Sequence, residues 1–277
     1  MNISALIPKS IISSPNRLSL KLSAVATKTS SGTPSTDVTP KSVTAEIMQY
    51  FNQNTAQRKD AVFQKRLANE EVMRNIDGLH IITVLFQSAR SKRLAKDLIP
   101  MKFLVERLGS WNRNWSERDI SMFVYGVRSL EGLDSIEGDL LRLGAKKITE
   151  SNADLTSRAI GNALYGLQDI TSDTDGAPEL CAALASKIEV FSGDLNGQDI
   201  GIGVYGLQGM SAEVPEVRRL IDAIAIKISR SISELDSQAT SNALYGLQVR
   251  ISFYMSILCL SLSVIGYSKR EFLTFRY

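Results

Sequence analysis

Histidine is almost absent from this chain: His80 is the only one in 277 residues. Cysteine is nearly as scarce, with Cys181 and Cys259 far apart. This removes the residue types from which zinc sites, disulfide frameworks and most nucleophile–base pairs are built. No metal, cofactor or catalytic residue is expected, and His80, alone among apolar residues, reads as structural. A Walker-type phosphate loop is also missing. Carboxylates such as Glu137, Asp139, Glu213 and Glu216 fall in inter-helix turns and around helix starts, where the helix dipole and solvent already account for them. The chain is therefore read as a binding protein and not an enzyme.

Acidic residues are missing from one stretch. Between Met1 and Thr36 there is no Asp or Glu, while Lys9, Arg17, Lys21 and Lys28 supply positive charge amid dense Ser and Thr. That composition is expected of an organellar transit peptide over about residues 1–40, which places the protein in a mitochondrion or plastid. The plainer alternative is a disordered tail. Polar residues interrupt every apolar stretch here, which argues against a secretory signal.

What the chain does have is ordinary in bulk and unusual in order. It is 44% apolar and 22% charged, with a net charge of +3. These are the proportions of a soluble globular chain, with a basic bias that nucleic-acid binding permits without requiring. The order is periodic. Phe123–Val127, Ala163–Leu167, Gly203–Leu207 and Ala243–Leu247 align without gaps, and Tyr125, Tyr165, Tyr205 and Tyr245 follow one another at steps of 40 residues. Ile120, Ile160 and Ile200 keep the same step, as do Gln168, Gln208 and Gln248, with Arg128 ahead of them in the first unit. Lys147-Ile148, Lys187-Ile188 and Lys227-Ile228 mark the second half of each unit.

Each unit reads as a helical hairpin. In the second unit Ile160, Ala163, Leu164 and Leu167 fall on one face of a first helix, with Thr156 or Ser157 as its cap. The run Thr171–Gly176 breaks it. A second helix carries Leu180, Leu184 and Ile188, and Pro215 suits the first turn of its counterpart in the third unit. Gly126, Gly166, Gly206 and Gly246 sit inside first helices, where each costs about 1 kcal/mol against Ala. A recurring cost of this kind predicts close approach of a neighbouring helix. One hairpin cannot bury its apolar faces alone, whereas stacked neighbours can, so the predicted fold is an all-α solenoid of 40-residue repeats. Its expected limits are 76–248, with units near 76–114, 115–154, 155–194 and 195–234 and a truncated one at 235–248. The first unit, from Leu79–Phe86 and Leu98–Leu108, reads as a degenerate cap, and residues 41–75 as an N-terminal helical region.

A helical wheel places Tyr165 nearly opposite the apolar stripe, with Arg158, Asn162 and Asp169. The candidate binding residues follow from that face: Arg118, Arg158, Gln198 and Gln238, one per unit, with Asn162, Asn242 and the four tyrosines. Aromatic faces can stack unpaired bases, and Arg, Asn and Gln can read base edges. The competing reading, which we favour for the rings themselves, packs each Tyr against the adjacent first helix. Lys147, Lys187 and Lys227 would align as a basic stripe along a phosphate backbone, or else as a solvated helix face.

The runs Asn162–Gln168 and Asn242–Gln248 resemble the first-helix core of octotricopeptide-type repeats, with Tyr-Gly standing where that family has Trp-Ala. Similar repeats occur in FAST-kinase-like proteins and in an RNA-editing substrate-binding-complex subunit. The resemblance covers about half the chain. It implies an organellar α-solenoid that binds single-stranded RNA in RNA processing, stability or translation. The alternative on the same architecture is a protein–protein scaffold.

After Gln248 the pattern breaks in mid-unit. Residues 251–267 carry no charge over 17 positions, the lower limit for a membrane span. A membrane anchor, a buried capping helix and a non-native tail from a truncated gene model all fit. The position of the break, directly after an intact motif, favours the last.

Overall fold

The computed structural model describes residues 78–90, 102–130 and 134–248, all within the second of the two units into which the chain divides, Val38–Tyr277. The transit-like segment 1–40, the helical region 41–75 and the tail 249–277 lie outside the described residues, as does the His80 side chain.

The described residues form nine α-helices and contain no strand. They are α1 (Gly78–Arg90), α2 (Lys102–Ser110), α3 (Glu117–Gly126), α4 (Asp134–Glu150), α5 (Ser157–Gly166), α6 (Ala177–Val190), α7 (Gly197–Gly206), α8 (Pro215–Arg230) and α9 (Ser237–Gln248). Short 3-10 turns, Val127–Leu130 and Leu167–Asp169, extend α3 and α5. Each odd-numbered helix packs on the next, from α1 through α9, and each even-numbered helix does the same from α2 through α8. The result is a two-layer α-solenoid whose contacts run between neighbouring repeats, so its hydrophobic core continues unbroken from Ile81 to Leu247.

The helix starts explain the register. Ser116, Thr156 and Asn196 cap α3, α5 and α7, each side chain accepting a hydrogen bond from the backbone N–H three residues on, and Asp236 does so for α9 through Ala239 N at 2.7 Å. Of the two caps read for α5, Thr156 is the one used, and Ser157 turns instead to Asp199 Oδ2 at 2.7 Å. These four caps fall 40 residues apart, so each unit begins at the same phase of its apolar stripe. The stripe is Ile160, Ala163 and Leu164 in α5 with Leu167 in the 3-10 turn that extends it, and Leu180, Cys181, Leu184 and Ile188 in α6, all buried. Burying one such Leu or Ile contributes about 1.5–3 kcal/mol. Between α5 and α6 the chain reverses at Gly176, whose φ of 79° is the left-handed region that suits glycine.

The repeated first-helix glycines have the packing reason that their pattern predicts. A β-carbon on Gly126 would lie 2.8 Å from Leu85 backbone, one on Gly166 2.3 Å from Val124 O, and one on Gly246 2.3 Å from Val204 O. The odd-numbered helices touch backbone to backbone, and only a hydrogen fits between them. No helix of the described residues is long and apolar enough to cross a membrane.

Candidate nucleic-acid interface

The outward face of the odd-numbered layer collects the candidates. Arg118, Arg158, Gln198 and Gln238 sit at the same step near the start of α3, α5, α7 and α9, and all four are exposed. One turn further along, Asn162 and Asn242 are partly exposed. Next comes the tyrosine column. The Tyr125, Tyr165 and Tyr205 rings are half-buried, and Tyr245 is 46% exposed.

The rings do not face solvent singly. Tyr125–Tyr165, Tyr165–Tyr205 and Tyr205–Tyr245 have centroids 5.7, 6.0 and 5.4 Å apart, and Phe86 of α1 extends the ladder at 5.1 Å from Tyr125. The last two steps are stacked, with interplanar angles of 29° and 27°. The ring faces inside the ladder are therefore turned to one another, in the range of favourable aromatic pairs. Neighbouring repeats are fastened by these contacts, as the packing reading expected. What the face offers to a ligand is phenol edges and hydroxyls. Gln168 Nε2 already donates to the Tyr205 hydroxyl at 3.3 Å.

Arg128 closes the ladder from the side. Its guanidinium lies 4.8 Å from the Tyr165 centroid and 5.6 Å from that of Tyr125, and its Nε donates to Asp169 at 2.8 Å. Burial works against the Arg128 charge, but the hydrogen bond and charge of Asp169 outweigh it and raise its pKa above the ordinary value. Burial also raises the Tyr125 and Tyr205 phenols.

The lysine column is placed differently from the basic stripe read in the sequence. Lys147 Nζ donates to Trp111 O at 2.8 Å, Lys187 Nζ to Ser151 O and to Ala153 O at 3.3 Å, and Lys227 Nζ to Phe191 O at 2.5 Å and Glu189 O at 2.9 Å. Each ammonium thus reaches back one repeat to the carbonyls that end the preceding even-numbered helix, or follow directly on it. Charge on the donor strengthens such bonds, and the negative end of the helix dipole favours it. These three residues stitch repeats together, and their half-buried ammoniums are committed to carbonyl oxygens.

The carboxylates of the odd-numbered layer are committed too. Asp119 completes the Ser116 capping box, and Glu117 accepts from the Thr156 hydroxyl. Asp199 accepts from Ser157 and Asn196, and Asp169 pairs with Arg128. Arg118 and Arg158 form no ion pair among the described residues; Arg118 Nε meets only the Met122 sulfur, at 3.4 Å. The even-numbered layer is different, since there Arg142 pairs with Asp139 of its own helix and with Asp175 of the next repeat, and Arg219 with Glu189 of the preceding one. On the odd-numbered face, then, these two cations project into solvent with no ion pair among the described residues.

Sequence reasoning passed over Phe86, Arg128 as part of the ladder, and the loop Trp111–Trp115. The Phe86 signal is weak, because it precedes Tyr125 by 39 residues and not 40. The loop signal was readable: aligned against the later units, its residues are the ones that depart from the repeat. Among the described residues no group of three or more His, Cys, Asp or Glu is placed to hold a metal. Comparison with protein-family models, curated proteins and solved structures found no match.

Proposed function

We propose that the odd-numbered layer binds single-stranded RNA along its outward face, in an organelle, in the service of RNA processing, stability or translation. The observation that carries this reading is the pair of exposed guanidiniums of Arg118 and Arg158, continued at the same step by the exposed amides of Gln198 and Gln238. Guanidiniums hold phosphates, and amides hydrogen-bond to base edges. Asn162 and Asn242 add donors and acceptors one turn away, and the tyrosine hydroxyls line the same face. The organellar setting rests on the acid-free, Ser/Thr-rich start of the chain.

The test is a fluorescence-anisotropy titration of the full chain against single-stranded RNA at several salt concentrations. Replacing Arg118 and Arg158 together with Ala should weaken binding and flatten its log–log salt slope by about 1 to 1.5, the release expected for two phosphates on a single strand. Absence of binding even at low salt sinks the reading. A protein-binding scaffold then takes its place. It draws support from exposed apolar residues of the even-numbered layer, Val190 and Ile226 at 70% and 48%, and from Ile232 in the loop after α8 at 90%.

A further inference from the structure

The loop between α2 and α3 breaks the repeat in a particular way. Residues 111–115 are Trp-Asn-Arg-Asn-Trp; the equivalent residues are Ser-Asn-Ala-Asp-Leu at 151–155, Phe-Ser-Gly-Asp-Leu at 191–195 and Ser-Ile-Ser-Glu-Leu at 231–235. The fifth position is structural, since Trp115, like Leu155 and Leu195, is buried. The fourth is not. Asp154, Asp194 and Glu234 are exposed carboxylates that would repel a phosphate, and in the first loop an exposed neutral Asn114 stands in their place. The third position gains a cation, Arg113, where the other loops have Ala153, Gly193 and Ser233. This is the one inter-repeat loop of the four that lacks an acid and carries a base.

The first position gains a ring. Trp111 lies against Gly78 of α1, so closely that a β-carbon there would be 2.3 Å from the indole. It meets Trp115 at 6.5 Å between centroids, and its backbone carbonyl is held by Lys147. The indole is thus packed between Gly78 of α1 and Trp115 of the loop, with its backbone carbonyl held from α4, while staying partly exposed. Above it stands the exposed Arg113 guanidinium, 5.9 Å from the centroid and without an ion pair among the described residues. Beside Arg113 opens a groove of about 220 Å³ lined by Asn112, Arg113, Asn114 and Trp115 from the loop and by Lys147, Glu150 and Ser151 at the end of α4; its one carboxylate, Glu150, is paired with Lys146 at 3.9 Å. Arg113 precedes Arg118 by five residues, across the cap at Ser116, so the loop adjoins the charged end of the face described above.

We infer that the Trp111–Trp115 loop is a nucleobase-stacking site, in which one unpaired base lies on the Trp111 indole, Arg113 holds the adjoining phosphate and Asn112 and Asn114 contact the base edge. This rests on the RNA-binding reading and assigns it a stacking residue that the inner rings of the tyrosine ladder, whose faces are turned to one another, do not supply. A packed, partly exposed indole is the better platform, because the base displaces only the exposed Arg113 guanidinium and no buried neighbour. Stacking on aromatic side chains tolerates any base, so the site adds affinity and an anchor point with little preference among sequences.

Trp111 and Trp115 are the only tryptophans in the chain, so intrinsic fluorescence reports on this loop directly. The full chain is titrated with a fluorescein-labelled single-stranded RNA of mixed sequence, reading label anisotropy and, with unlabelled RNA, tryptophan emission. Wild-type emission should be quenched with the midpoint seen by anisotropy. Trp111→Leu should lose the quenching and weaken binding by about fivefold to 100-fold, the worth of one base on one aromatic ring. Asn114→Asp restores the carboxylate of the other loops at an exposed position, so it keeps the fold, and it should weaken binding severalfold and reduce quenching. Arg113→Ala should lower the salt slope by about 0.7, one phosphate on a single strand. If wild type binds RNA but is not quenched, or Asn114→Asp and Trp111→Leu bind as tightly as wild type, the stacking site is wrong and RNA binding elsewhere on the face stands. If wild type does not bind at all, the RNA reading itself has failed and this inference goes with it.

Discussion

A β-carbon on Gly206 would lie 2.0 Å from the carbonyl oxygen of Leu164. The obstacle is backbone of the preceding helix, so no rotamer change can make room, and α7 would have to move away from α5. Overpacking of this kind costs about 1–3 kcal/mol, against which the better helix propensity of Ala returns at most about 1. Gly206→Ala is expected to lower the urea midpoint clearly, and Gly166→Ala to do the same. Gly109→Ala is the control. There the added carbon would meet only the Leu143 methyl groups at 3.8 and 3.9 Å, so stability should hold or rise slightly. Equal effects at Gly206 and Gly109 would show that helix contact is not what selects glycine in this column.

The two bonds from Lys187 to Ser151 O and Ala153 O make a second expectation. Lys187→Met keeps the alkyl stem and removes the charge. Hydrogen bonds from a charged donor are worth about 1.5–3 kcal/mol, and the orphaned carbonyls regain some of that from water. The variant should lose about 1–2 kcal/mol in chemical denaturation while its RNA salt slope stays that of wild type. A slope reduced by the 0.7 or so of one phosphate, at unchanged stability, would return Lys187 to the binding surface.

The lysines also show where reading a sequence stops. The 40-residue step gave the hairpins, the four caps gave the register, and the recurrence of glycine at Gly166 and its counterparts, which the structure places at the last residue of α3, α5 and α7, announced a close neighbour. All of these are properties of one helix and its period. The partners of Lys187 lie 34 and 36 residues back, in the loop of another unit. Whether a periodic side chain meets solvent or the previous repeat depends on how far each unit is turned against the last. A wheel drawn on one helix holds no such information. The same reason explains the tyrosines. The wheel placed Tyr165 with the polar residues, correctly for its half-exposed state, but the 5.7 and 6.0 Å spacings to Tyr125 and Tyr205 arise only once the helices are stacked.

That ladder sets an alkaline limit to stability. Burial raises the Tyr125 phenol, with neighbouring Tyr165 adding to it while Arg128 and Arg90 pull it down, and burial raises Tyr205 likewise. The phenols ionise more readily in the unfolded chain. The stability they contribute is therefore complete below the unfolded pKa of about 10 and is lost as pH rises through the folded values. The urea midpoint should be level from about pH 7 to 9 and fall above about 10. A Tyr125→Phe/Tyr205→Phe double variant should fall less steeply, and Arg128→Gln should raise the Tyr125 titration followed by phenolate absorbance. An identical alkaline decline in the double variant would assign the loss to other groups.

Charge and amide are divided along the interface: Arg118 and Arg158 lead, and Gln198 and Gln238 follow at the same step. All four side chains are exposed, so replacing them leaves the core intact. Their effects on RNA should differ in kind. Removing a guanidinium releases a phosphate contact, which weakens every sequence alike and lowers the salt slope. Removing an amide loses a neutral hydrogen bond to a base edge, worth about 0.5–1.5 kcal/mol, and leaves the counterion balance unchanged. Gln198→Ala/Gln238→Ala is thus expected to change the rank order of oligoadenylate, oligouridylate and oligocytidylate by about twofold to tenfold per contact, at a wild-type slope. Asn162→Ala should act in the same direction, because its partly exposed amide sits one turn beyond Arg158. Anisotropy titrations of the three homopolymers at two salt concentrations separate the outcomes. An amide variant that binds all three more weakly by one common factor, with a flatter slope, would mean that these residues position the backbone and read no base.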